Sequence, residues 1–130
     1  MTILTIRTDK PEAELGLFKD SNQLDYLVWL AHRELAETIH TKLKQLLDAQ
    51  SLELGAVEAV VVMQGPGSFT GLRIGIAVAN ALASALQIPI VGAAGDDWIS
   101  KGVVSILNGQ NDKIVIPEYG ALPNVSTPKK

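Results

Sequence analysis

Residues Gly65-Pro66-Gly67-Ser68-Phe69-Thr70-Gly71-Leu72-Arg73-Ile74-Gly75 place a glycine-rich turn directly before a helix. Ahead of the turn, Ala59-Val60-Val61-Val62-Met63 is a short, mostly β-branched run that reads as a buried strand. Behind it, Gly71 to Leu86 holds no proline and continues as a helix. Strand, glycine turn and helix in succession leave backbone N–H groups unpaired at the helix start, where the macrodipole is positive. Such a junction either holds an anion or makes a tight structural turn, and the junction alone leaves both readings open. Gly65, Gly67, Ser68, Thr70 and Gly71 are the candidate anion-site residues.

The helix that follows carries one charge, Arg73. Leu72, Ile74, Ile76, Val78, Leu82 and Leu86 are large and apolar, and Ala77, Ala81 and Ala85 fill another side. A helix apolar nearly all round must be buried on more than one side. At about 16 residues, and with an arginine, it is short for a bilayer span. Gly71, Gly75, Ala79 and Ala83 recur every four residues along one slowly drifting face. A glycine inside a helix costs ~1 kcal/mol against alanine, so Gly75 indicates close packing. A short chain has few elements to cover both sides. The expectation is therefore a partner subunit on the small-residue face, with Ile74, Val78 and Leu82 covering the sheet; the alternative is that the small face packs tightly onto the chain's own sheet.

Arg73 stands in the first turn, where a cation opposes the helix dipole at a cost of ~0.3–1 kcal/mol. It should answer to a carboxylate, to backbone carbonyls or to a bound anion. Other chemistry is sparse. Gly65-x-Gly67-x-x-x-Gly71 has one residue too many for the dinucleotide fingerprint, and no Gly-Lys-Ser/Thr follows the glycines. His32 and His40 lie eight apart and off a common face, and neither is set to activate Ser68, so no metal site or nucleophile is expected. Ser68 or Thr70 reads instead as the helix N-cap. There is no cysteine, hence no disulfide framework or thiolate chemistry. A net charge of −3 argues against a stand-alone nucleic-acid binder. The N-terminus lacks a basic leader, and a cytoplasmic location is expected.

Periodicity predicts strands at Thr2–Thr8, Ala13–Phe18 and Leu24–Leu30, an antiparallel meander. An amphipathic helix follows over His32–Gln50, with Leu35, Ile39, Leu43, Leu46 and Leu47 on one face. The strand Val57–Met63, the glycine turn, the helix to Gln87 and a strand Ile88–Val91 form a β-α-β unit. Beyond Gly92 the pattern weakens. Ala93–Ser100 reads as a helical turn or more, Val103–Leu107 and Lys113–Ile116 as strands about an Asn108-Gly109 turn, and Pro117–Lys130 as an extended tail.

The run GPGSFTGLRIGIAVANALASALQIPIVG resembles the signature of the bacterial tRNA threonylcarbamoyladenosine biosynthesis family TsaB, and the likeness extends over roughly residues 1–95. It implies an α/β fold of the actin/hexokinase type (ASKHA, ribonuclease H-like), with the meander and the β-α-β unit in one mixed sheet flanked by helices. Residues 1–95 would be that lobe, and 96–130 a reduced remnant of a second lobe with a tail. The resemblance implies a non-catalytic subunit that pairs with a catalytic TsaD subunit, is joined by a small TsaE-like ATPase, and meets tRNA only through that complex. Its dimer surface is built from two helices, here His32–Gln50 and Gly71–Leu86. The partner-binding residues expected are Leu72, Arg73, Gly75, Ile76, Ala79 and Ala83 on the second helix, with His32, Leu35 and Ile39 on the first. No cofactor is expected beyond a nucleotide at the partner interface. Two departures stand out: Arg7-Thr8-Asp9 places a cation where the wider fold carries an aspartate after the first strand, and little chain remains for a second lobe. Ile116-Pro117-Glu118-Tyr119 resembles the Pro-x-Tyr near the family's C-terminus. The alternatives are self-association through the same helix, or a small nucleotide-binding ATPase.

Overall fold

The computed structural model describes residues 1–119. Five strands form one sheet: β1 (Thr2–Arg7), β2 (Glu12–Lys19), β3 (Asn22–Leu30), β4 (Ala59–Met63) and β5 (Ile90–Ala93), in the order β3-β2-β1-β4-β5. The three N-terminal strands pair antiparallel as expected from the turn residues between them, with Thr2 opposite Lys19 and Glu12 opposite Leu30. β1 then pairs parallel with β4, and β4 with β5. The β-α-β crossover joining β4 to β5 is the helix α2 (Phe69–Leu86), and α1 (Leu35–Ala49) joins β3 to β4 after a short 3-10 turn at His32–Glu34.

The sheet's period of two assigns its side chains to two cores. Leu4, Ile6, Leu15, Leu17, Val60 and Val62 meet α1 and α2, through Leu35, Ile39, Leu43, Leu72 and Ile76 among others. Ile3, Phe18, Ala59, Val61, Met63 and Val91 face the other way and meet a third helix, α3 (Trp98–Leu107). β4 is buried along its whole length because helices cover both of its faces, which is why Ala59–Met63 lacks any polar alternation.

α2 is long and apolar enough to cross a bilayer by length and composition. In the fold its buried stripe, Leu72, Gly75, Ile76, Ala79 and Ala83, lies against the chain's own sheet. This overturns the expectation that the small-residue face meets a partner. Gly75 sits against the side chain of Thr8, and a Cβ there would overlap Thr8 Oγ1. The glycine is the close-approach residue that its helical cost implied, but the neighbour is the end of β1. Ile74, Val78 and Leu82, expected on the sheet, are instead half-buried beside the core.

The C-terminal region differs from the pattern reading. Val103–Leu107 is the second half of α3, not a strand. A short apolar run does not distinguish strand from buried helix, and here Trp98, Gly102, Val103 and Ile106 line up on one helical face against β4 and β5. Lys113–Ile116 is irregular, and Asn108-Gly109 ends α3 where a hairpin turn was expected. β5 runs over Ile90–Ala93, two residues later than expected. The tail expectation for residues 120–130 lies outside the described residues.

Because Ala79 is fully buried and Ala81 exposed on the same helix, Ala79→Leu should cost about 1–3 kcal/mol of stability by overpacking. Ala81→Leu should stay within about 0.5 kcal/mol of the parent. Urea unfolding of the two variants checks this, and a neutral Ala79→Leu would return the small face to the surface.

Candidate partner surface and glycine loop

The glycine loop is held by the turn between β1 and β2. Ser68 N–H donates to the Asp9 carbonyl (3.0 Å), and Thr8 Oγ1 donates to the Gly71 carbonyl (2.8 Å). Gly67 packs on the Asp9 side chain and Gly71 on the Thr8 carbonyl. Gly65 has φ +124°, a conformation that L side chains rarely adopt, and lies under the Glu118 carbonyl. Ser68 occupies the N-cap position of α2 without a side-chain cap bond, whereas Thr70 is already inside the helix. Gly65, Gly67 and Gly71 thus each pack against the chain itself, while Ser68 and Thr70 are exposed.

Arg7, at the end of β1, does not leave its side of the loop cationic. Its guanidinium makes two hydrogen bonds to the Asp9 carboxylate (2.7 and 3.2 Å), and this partner holds the arginine even more firmly protonated. Beside them Tyr26 donates its hydroxyl to Glu14 (2.5 Å). The Tyr26 phenol ionises well above the usual tyrosine range, first because it is desolvated and then because of that bond to Glu14.

A segment after α3 crosses back over the loop. Asn80, a polar residue in an otherwise apolar helix, exchanges two hydrogen bonds with the backbone of Val115 (2.9 Å each). Gln64 Nε2 donates to the Ile116 carbonyl (2.9 Å), and Glu118 N–H donates to the Gln64 carbonyl (2.8 Å). Tyr119 then stacks on Phe69 with ring centroids 4.6 Å apart, and the Arg73 guanidinium lies 5.2 Å from the Phe69 ring centre. Arg73 therefore answers to an aromatic face, and among the described residues no carboxylate lies within 4 Å of it. Sequence reasoning missed this strap, although Asn80 was its signal.

Of the residues expected to bind a partner, Leu72, Gly75, Ile76, Ala79 and Ala83, with Leu35 and Ile39 of α1, are buried in the chain's own core and present nothing outward. Arg73 and His32 are exposed. The outward row of α2 is instead Arg73, Ala77, Ala81 and Ala85, spaced every four residues and flanked by half-buried Ile74, Val78 and Leu82. Next to Leu82, a groove of about 380 Å³ runs along α1 between His40, Leu43 and Leu47 and the turn at Leu52–Leu54.

The chain matches known proteins. The family model for TsaD, tRNA N6-adenosine threonylcarbamoyltransferase, matches residues 29–95, just over half of the chain. The chain belongs to the TsaD family. Within it the chain is TsaB-like. It is 30% identical over 113 residues to the tRNA threonylcarbamoyladenosine biosynthesis protein TsaB of Escherichia coli, covering 82% of this chain and 48% of that protein. A TsaD protein from Geobacter metallireducens is 34% identical over 108 residues, covering 71% of this chain and 32% of the relative. Among solved structures, YeaZ from Pseudomonas aeruginosa superposes with a TM-score of 0.66 at 32% identity, over 72% of this chain and 43% of that one. The fold is accordingly the actin-like ASKHA type. Thermus thermophilus RuvC, at 14% identity and a TM-score of 0.54, shares the fold alone. The chain spans about half the length of these TsaB relatives and a third of the TsaD relative.

The raised Tyr26 pKa carries a sign. A phenol held protonated in the folded chain contributes stability that is complete below the ordinary tyrosine value of about 10 and is lost as pH rises beyond it. Urea unfolding between pH 9 and 11 should show stability falling more steeply for the parent chain than for Tyr26→Phe. Parallel curves would show that Tyr26 titrates as a free phenol.

Proposed function

We propose that this chain is a non-catalytic, TsaB-like subunit of the cytoplasmic machinery that makes threonylcarbamoyladenosine in tRNA. In this reading it docks a TsaD-like catalytic subunit through the outward faces of α2 and α1. The observation that carries the proposal is the row Arg73, Ala77, Ala81 and Ala85, an outward helical stripe that is apolar apart from its one charge. Small side chains let a neighbouring helix approach closely, and the half-buried Ile74, Val78 and Leu82 offer apolar area at its margin. Arg73 and Phe69 at one end are residues of the kind that anchor interfaces, with Phe69 55% exposed. The Arg7–Asp9 pair supports the non-catalytic part, because the carboxylate nearest the loop is already neutralised. A small ATPase and tRNA would then join through the catalytic partner.

Ala77→Arg/Ala81→Glu should abolish co-elution with the TsaD-like subunit while leaving the thermal midpoint of the lone chain unchanged, since both positions are exposed. Arg73→Ala should weaken the complex by about 1.5–3 kcal/mol, the range for hydrogen bonds to charged groups. The lone chain should hydrolyse ATP no faster than background. Retained co-elution of the double variant would move the interface off α2, and a homodimer that the TsaD-like subunit fails to displace would favour self-association.

A further inference from the structure

The strap from Val115 to Tyr119 runs along α2 against its direction, from Asn80 back to Phe69. Asn80 donates to the Val115 carbonyl and accepts from the Val115 N–H (2.9 Å each), and Val115 is buried beneath the strap. Gln64 holds the next residues, its side chain on the Ile116 carbonyl and its own carbonyl under Glu118 N–H. Gly65 makes room for this path, because a Cβ there would overlap the Glu118 carbonyl. The path has little slack. Extended chain from Val115 to Tyr119 reaches at most about 14 Å, while the helix rises about 16 Å between Phe69 and Asn80. Pro117 further restricts the backbone between these two ends. Tyr119 thus arrives over Phe69 because Asn80 and Gln64 hold the strap, and the two ring centroids lie 4.6 Å apart. The Arg73 guanidinium lies 5.2 Å from the centre of the same Phe69 ring. Phe69 and Arg73 nevertheless remain exposed.

Taking α2 as the docking helix, as proposed above, we infer that Tyr119 belongs to the docking surface. It fixes Phe69, and through Phe69 the Arg73 guanidinium, in the pose that meets an acidic side chain of the TsaD-like subunit. Asn80 is the positioning residue that delivers Tyr119. A guanidinium lying on a ring is oriented in advance, and its N–H fork is left for a planar carboxylate. Among the described residues no carboxylate of this chain lies within 4 Å of Arg73, so the cation is available to one from a partner. Two stacked rings also give contact area at low cost in side-chain entropy, which suits an anchor. Asparagine is a poorer helix former than the alanines around it, and what offsets Asn80 is its pair of bonds to the strap. Its effect on docking is therefore exerted through Tyr119.

The test is the affinity of the full chain for the TsaD-like subunit, measured by isothermal titration calorimetry. Tyr119→Leu removes the ring but keeps an apolar side chain against the core that Tyr119 touches. It should weaken the complex at least fivefold with an unchanged circular dichroism spectrum, and Tyr119→Phe should restore parent affinity. Asn80→Asp sets a second acceptor against the Val115 carbonyl. It should weaken the complex of the parent chain but add nothing to Tyr119→Leu, a non-additivity that a merely structural asparagine would not produce. Arg73→Ala should likewise abolish the effect of Tyr119→Leu. Parent-like affinity of Tyr119→Leu, an equal loss in Tyr119→Phe, or full additivity with Asn80→Asp or Arg73→Ala would overturn the inference. A complex lost in Ala77→Arg/Ala81→Glu but untouched by Tyr119→Leu would leave the α2 stripe standing and remove the strap from the surface. A complex that survives the double variant yet weakens with Tyr119→Leu would do the reverse, and no complex with the parent chain would overturn both.

Discussion

Everything distinctive about this lobe depends on the approach of α2 to the end of β1. Thr8 is buried against Gly75 and donates its hydroxyl to Gly71, so helix, glycine loop and β1–β2 turn are locked as one body. Two glycines one turn apart make that contact sterically feasible. The ~1 kcal/mol that an interior glycine costs a helix is offset by burying the first two turns against the sheet. The backbone bond from Ser68 to Asp9 and the Arg7–Asp9 pair then fix the turn on the far side. The loop's glycines serve packing, with Gly65 against the Glu118 carbonyl and Gly67 against Asp9.

The same contact decides which side of α2 is presented outward. With Leu72, Gly75, Ile76, Ala79 and Ala83 committed to the sheet, the 3.6-residue period leaves Arg73, Ala77, Ala81 and Ala85 outside. Both four-residue rows of this helix are made of small residues, which is why it is apolar nearly all round. One row lets the helix sit down on its own strands, and the other remains exposed.

The duplication also explains what the sequence could and could not disclose. The meander, the amphipathic α1 and the β-α-β unit were legible because period-2 and period-3.6 patterns are strong over Thr2–Gln87 and the turns between them are polar or glycine-rich. The existence of an uncovered α2 surface was legible too, from the excess of apolar residues over what one sheet face can bury. Its identity was not, since the rows Gly75-Ala79-Ala83 and Ala77-Ala81-Ala85 differ only by rotation about the helix axis, and only the fit of Gly75 to Thr8 tells them apart. Residues 103–107 failed for another reason: a run of five residues with four apolar positions is compatible with either period, and what selects the helix is Trp98 and Gly102 upstream. The cavity beside the start of α2 brings together Lys10, His32, Arg33, Ser68 and Thr70, separations that no local pattern reports.

The polar residues embedded in apolar elements complete the lobe. A parallel strand at the end of a sheet exposes a row of unpaired backbone groups. At β5 this is met by Asp112, whose N–H donates to the Ile90 carbonyl (2.8 Å) and whose carboxylate accepts from Gly92 N–H (3.0 Å). Asn80 and Gln64 continue the same task by satisfying the backbone of the strap at Val115, Ile116 and Glu118. The opposite edge is treated differently. β3 keeps an open side with Leu24, Val28 and Leu30 exposed, and its features that discourage pairing are Asp25 and the register shift opposite Leu17/Phe18. The irregular segment 110–118 therefore stands in for a further strand at β5, at the cost of regular structure, and it is this substitution that brings Tyr119 over Phe69 and so next to the one charge of α2.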